Sequence, residues 1–317
     1  MRSGAAHVAG AVRARALARR CVGPAAARVL AGSPGLDAAI AALASTPYGR
    51  DVRSGQDAGA VQEAVATTLV WRLRVLAGWL PSAGVQRLRA IAGWFEIRNV
   101  ERLLRQQRGR AGPAPFQLGA LAVAWPRLSG TSTADQVRAV LASSAWGDPG
   151  AATAHAIVLG MRTSWALRAA AVPAAQSWAA GGLALWVARE HWVTGQAFSD
   201  TARARAAGLL GRRAVEAPSF AAFVAALPAR AAWAFDGVAE PGDLWRAEAA
   251  WWARLDHDAH ALLRSPGFDD RPAIGAAAAL AVDAWRVRAA VAGAADGTGA
   301  APFDAVINAG LGKRAAG

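Results

Sequence analysis

The run Asp256-His257-Asp258-Ala259-His260 holds residue types that bind metals or move protons. On a helix, Asp256 and His260 at i,i+4 share a face, while His257 lies about a third of a turn or more off that line. No third ligand accompanies the pair, so the run reads as a polar surface patch. The chain has no Gly-rich phosphate loop of the Walker kind, no G-x-S-x-G and no H-E-x-x-H. Cys21 is the single cysteine, which leaves no disulfide framework and no cysteine-based metal site, and fits a reducing compartment. These residues predict a non-catalytic protein with no cofactor, no metal and no small-molecule substrate.

The elements that would carry such residues are helical. Trp94-Phe95-Glu96-Ile97-Arg98-Asn99-Val100-Glu101-Arg102-Leu103-Leu104-Arg105 lies late in a helical pattern that opens after Pro81-Ser82. Val85, Leu88, Ala92 and Phe95 recur at steps of three and four, the spacing of one buried face. Arg98 with Glu101, and Glu101 with Arg105, have the spacing of local ion pairs. Asn99 is out of place mid-helix, because its amide competes for the backbone; it is either solvated or bonded to something specific. Arg102 and Arg105 are the candidate partner contacts of this helix.

Its surroundings recur. Leu43-Ala44-Ser45-Thr46-Pro47-Tyr48-Gly49 returns 98 residues later as Leu141-Ala142-Ser143-Ser144-Ala145-Trp146-Gly147, and the same offset carries Trp94 onto Trp192. A second offset of 187 relates Glu96 to Asp283 and Pro115-Phe116 to Pro302-Phe303. Pro218-Ser219-Phe220 is a looser middle copy, and Trp233 follows Tyr48 by nearly the same double step. The pattern predicts three degenerate repeats, approximately residues 1–112, 113–213 and 214–317, in one elongated helical domain.

Hydrophobic residues at 54% supply ample core, much of it Ala, and strand-type Val/Ile/Thr alternation is nearly absent, so the class is all-α. The charge balance of 35 basic to 22 acidic residues gives +13. Such an excess suits nucleic acid, an anionic membrane surface or an acidic protein partner. The arginines are scattered rather than blocked, and Lys313 is the only lysine, which reads as a compositional bias rather than a nucleic-acid patch. The first 36 residues contain no acid and resemble a transit peptide in composition, but the pattern is that of a first structural helix. Ala169 to Ala188 is uncharged over a length that could span a bilayer. Pro173 and Gly181-Gly182 instead predict two buried helical pieces or one broken helix.

In order, helices are expected from about His7 to Val22, and after Ser33-Pro34 with Leu36, Ile40 and Leu43 on one face. The next follows Ser54-Gly55-Gln56-Asp57, carrying Val61, Val65, Leu69 and Leu76. Thr133-Ala134-Asp135-Gln136 is a capping box. A long helical region is expected from Ala151 to about Leu210, interrupted near Pro173 and Gly181, followed by one bearing Leu244 to Leu263 and a last long one from about Pro272 to Gly293.

Val12-Arg13-Ala14-Arg15-Ala16-Leu17, the Leu43-to-Gly49 stretch, Phe95-Glu96-Ile97-Arg98-Asn99-Val100 with Leu103-Leu104-Arg105, and Pro272 through Gly293 together resemble the C-subunit family of V-type/A-type ATPases, whose vacuolar member is the d-subunit. The likeness follows the family's order over nearly the whole chain. It implies a pseudo-threefold, funnel-like stack of helices at the cytoplasmic face of the membrane, peripheral to it. Such a socket links the rotor axle to the membrane proteolipid ring and transmits torque for ion transport, with the proton as the expected cargo. Glu96, Asn99 and Asp283 are implied as structural-network positions. The chain departs from the family pattern at His7-Val8-Ala9-Gly10, where a tyrosine-rich lead is usual, and at Arg286, where an Asn would stand. Two other classes fit the same patterning: a helical-repeat adaptor for an unrelated protein, and a basic nucleic-acid-binding protein.

Overall fold

A computed structural model describes the backbone of residues 2–311 and the side chains of residues 4–307. The chain is all-α: 73% of it is helical, and no strand occurs among the described residues. The first helices are α1 (Arg2–Ala18), α2 (Gly23–Ala31), α3 (Leu36–Ala44), α4 (Ala58–Ala77), α5 (Ser82–Ala92) and α6 (Trp94–Gln106). They are followed by α7 (Trp125–Leu128), α8 (Ala134–Ala142), α9 (Ala154–Ala170), α10 (Gln176–Ala188), α11 (Asp200–Leu210) and α12 (Arg212–Val215). The last are α13 (Phe220–Ala226), α14 (Ala229–Ala232), α15 (Leu244–Arg264), α16 (Arg271–Ala295) and α17 (Ala300–Leu311).

The helices start where their caps require. Asp57, Thr133, Thr153, Ser199 and Ser219 each accept a backbone N–H from the first turn of α4, α8, α9, α11 and α13. Gln136 does accept a reciprocal bond, but from the N–H of Ser132 rather than of Thr133. Other expectations differ in detail as well. The helix after Pro81 is two helices, because the chain breaks at Gly93, where an added Cβ would stand 3.1 Å from both Trp146 and Trp165. The uncharged run does break at Pro173, between α9 and α10, but Gly181-Gly182 lies inside an unbroken α10. Gly181 is there for packing: a Cβ on it would come within 2.9 Å of the Trp233 ring. Among the described residues no helix is long and apolar enough to cross a membrane.

The helices form two compact units, residues 1–85 with 252–317, and residues 86–251. In the first, α16 is the central element, packing against α1, α2 and α4. Its face of Ala273, Ala276, Ala277, Leu280, Ala284, Val287 and Val291 is buried, and the small side chains allow close helix contact. In the second unit, Ile97, Val100 and Leu104 of α6 pack with Leu128, Val137, Leu141, Trp146, Ile157 and Met161. A separate cluster gathers Leu183, Val187, Leu209, Leu210, Phe220, Phe223 and Phe235.

Candidate functional site

The chain segment between α6 and α7 has little helix of its own, so its backbone groups need other partners. The buried side of α6 provides them at helical spacing. Glu96 accepts the N–H groups of Val123 and Ala124, both at 2.6 Å, just ahead of the first turn of α7. Asn99 is fully buried and pairs with Phe116 twice: its Nδ2 donates to the carbonyl at 2.9 Å and its Oδ1 accepts the N–H at 2.7 Å. Arg102 donates to the Ala114 carbonyl at 2.6 Å and lies 4.0 Å over the Phe116 ring. Phe95 meets the same ring edge-on at 5.3 Å. Of the two readings of Asn99, the specific bond is the one formed.

Glu96 has a third donor. The indole N–H of the buried Trp146 reaches it at 3.0 Å, and Arg168 of α9 lies 4.7 Å over that indole. Burial pulls the Arg168 guanidinium below its ordinary pKa, and the nearby Glu96 charge partly opposes the shift.

The first unit repeats this arrangement with different side chains. Asp283 on α16 accepts the Tyr48 hydroxyl at 2.9 Å and the Gly23 N–H, in the first turn of α2, at 2.8 Å. Each carboxylate thus holds the start of a helix with one group of bonds and an aromatic side chain with another. The turns presenting those aromatics also match. Thr46 Oγ1 accepts the Tyr48 N–H and donates to the Leu43 carbonyl, and Ser144 Oγ does the same for Trp146 and Leu141. Tyr48 is raised well above its ordinary pKa, first by burial and then by the Asp283 charge and hydrogen bond. Cys21, nearby, is pushed up to about 12 by burial and by Asp283, which leaves it a neutral, inert thiol.

The recurrence is not complete. Arg286, at the position corresponding to Asn99, pairs with Asp256 at 2.9 Å. That ion pair occupies one half of the Asp256/His260 couple, while His260 Nδ1 lies 2.7 Å from the Asp256 carbonyl oxygen. In the segment following α13, Trp233 packs over Gly181 of α10, where a side chain would collide with it, and its indole donates to the Arg230 carbonyl.

Arg105, unlike Arg102, is exposed, with its Nε donating to the Glu101 carbonyl at 3.3 Å. The Glu101 carboxylate is joined to Arg162 of α9 at 2.8 Å. Arg162 also reaches Glu190 and lies 3.8 Å over Trp186. The Glu101–Arg162 bridge has no sequence signal, since nothing in local spacing links residues 61 positions apart. The turns that present the aromatics do have one: the hydroxyl residue two places before each aromatic recurs together with it. Comparison with protein-family models and with curated proteins returns no match.

Proposed function

We propose that this chain is the central-stalk socket of a V/A-type rotary ATPase, joining the axle subunits to the proteolipid ring and passing torque between them for ion transport, with the proton as cargo. The observation carrying this reading is the recurrence of one buried device, Tyr48 on Asp283 and Trp146 on Glu96, each set by the same hydroxyl-turn geometry. It supports a fold built from repeated helical units. Such a fold is what the resemblance in the Leu43-to-Gly49, Phe95-to-Arg105 and Pro272-to-Gly293 stretches implies.

The third repeat and the funnel-like arrangement belong to the same proposal. α10, α13 and Trp233 would be the remaining copy, with Gly181 replacing the acid and an indole filling the space. All the acids and amides in these devices are engaged in holding the backbone, so a socket of this kind works by shape and surface charge. A position at the cytoplasmic face of the membrane and a non-catalytic role are part of the reading.

The test is ion pumping set against ATP hydrolysis in membranes lacking this chain. The expected result is hydrolysis by a head that no longer drives pumping. Full, coupled pumping without the chain would sink the proposal. Recovery of this chain from cells without any ATPase component would favour the helical-repeat adaptor.

A further inference from the structure

The surface of α6 and α9 carries an open groove with unused charge. It is a depression of about 310 Å³ lined by Glu101, Leu104, Arg105 and Arg108 on one side and Ala154 and Val158 on the other. Leu104 and Arg108 stand three and seven residues beyond Glu101, while Ala154 and Val158 are one turn apart on α9. Glu101, on the α6 side, is bonded to Arg162 of α9. The groove's length is about two helical turns, roughly 10 Å at 1.5 Å per residue.

The floor is apolar and the rim is cationic. Glu101 is the one acid in the lining, and its carboxylate is already committed to Arg162. Arg105 uses its Nε on the Glu101 carbonyl, and among the described residues neither its terminal nitrogens nor the Arg108 guanidinium has a hydrogen-bond or ion-pair partner. We infer that this groove docks an amphipathic helix of a partner protein, one whose apolar ridge sits on Leu104, Ala154 and Val158 and whose Asp or Glu side chains reach Arg105 and Arg108. A groove between two helices takes the side-chain ridge of a third, and the arginine fork pairs with a carboxylate in two parallel bonds. A phosphate group alone is the poorer fit, because the floor offers it methyl groups in place of backbone N–H donors. The inference does not rest on the rotary-machine reading, since it needs only the groove.

The probe is a fluorescein-labelled synthetic helix with Leu at i, i+4 and i+7 and Glu at i+3 and i+8, titrated with the full chain and read by anisotropy. Three variants with substitutions at exposed or groove positions separate the contributions. R105E with R108E should weaken binding at least about tenfold, and a probe with Lys in place of Glu should recover it. A154W, which fills the floor without altering charge, should weaken the original probe by a similar factor. R110E, an exposed charge outside the lining, should change little. Circular dichroism on each variant checks that the helices persist. Equal binding by all variants would show that the +13 excess attracts any acidic peptide and would overturn the inference. So would competition by inorganic phosphate, or loss in R105E/R108E without loss in A154W, because either would mark a simple anion site.

Discussion

Trp146 donates its indole N–H to Glu96 at 3.0 Å, with both side chains removed from solvent. Among the described residues the carboxylate has three donors, Trp146 and the N–H groups of Val123 and Ala124, so its buried charge is solvated by the protein itself. Asp283 and Tyr48 stand in the same relation in the other unit. Such a carboxylate organises the chain around it, and removing either partner leaves a different remainder.

Glu96→Ala strands three donors at once, two of them buried and the Val123 N–H partly so. We expect a loss of about 3–5 kcal/mol, the range for breaking a buried charged network. Trp146→Phe removes one donor and keeps most of the ring, so its cost should be smaller, about 1–3 kcal/mol. Urea midpoints of the two variants check the order; a Trp146→Phe loss as large as that of Glu96→Ala would mean that the indole packs rather than bonds.

Alkaline pH should weaken the first unit. Burial and Asp283 raise both Cys21, up to about 12 from an ordinary 9.0, and Tyr48. A group whose folded pKa lies above its unfolded value binds its proton more tightly in the fold. Its stabilising contribution is therefore complete below the unfolded pKa and falls as pH rises toward the folded one. Stability should decline from about pH 9 to about pH 12. Tyr48 is the sole tyrosine, so tyrosinate absorbance reads its ionisation directly. Ionisation at the ordinary tyrosine value in the folded chain would refute the buried Tyr48–Asp283 bond.

What is legible in the sequence follows from local rules. Helical period and capping residues locate α3, α4, α8 and α16 to within a few residues, because those signals act over one or two turns. The recurrence of Leu43-to-Gly49 as Leu141-to-Gly147 is also visible there. That Tyr48 and Trp146 both end on a carboxylate is not, since Asp283 lies 235 residues from Tyr48. The Gly181-Gly182 pair reads as a break because glycine weakens helices in isolation. Here tertiary packing overrides that preference, with Trp233 and Trp251 crowding the space a side chain at Gly181 would need.

That override makes Gly181 testable against Gly208. Both lie within helices, but nothing stands within 4 Å of a Cβ on Gly208, whereas one on Gly181 would be 2.9 Å from Trp233 and 3.2 Å from Trp251. Gly208→Ala should stabilise by about 0.5–1 kcal/mol through helix propensity. Gly181→Ala gains the same propensity but must displace an indole, with a net cost of about 1–2 kcal/mol. Thermal melting of the pair decides it; equal stabilisation by both would show that the Trp233 ring yields freely.

Arg102 and Arg105 sit one turn apart on α6 and should respond differently to charge reversal. Arg102 is 7% exposed, donates to the Ala114 carbonyl at 2.6 Å and covers the Phe116 ring. A glutamate there would turn a carboxylate toward that carbonyl and lose the aromatic contact. Arg102→Glu should therefore cost about 2–4 kcal/mol of stability, an uncompensated buried charge being the cause. Arg105 is exposed and, among the described residues, its side chain holds one long bond, to the Glu101 carbonyl, so Arg105→Glu should stay within about 0.5 kcal/mol of the parent. Only Arg105 can then report on a partner without confusing lost binding with lost fold. Denaturation of both variants comes first, followed by partner or peptide binding of the one that folds normally. If Arg105→Glu unfolds the chain while Arg102→Glu does not, the assignment of Arg102 to the backbone lock and Arg105 to the open surface is wrong.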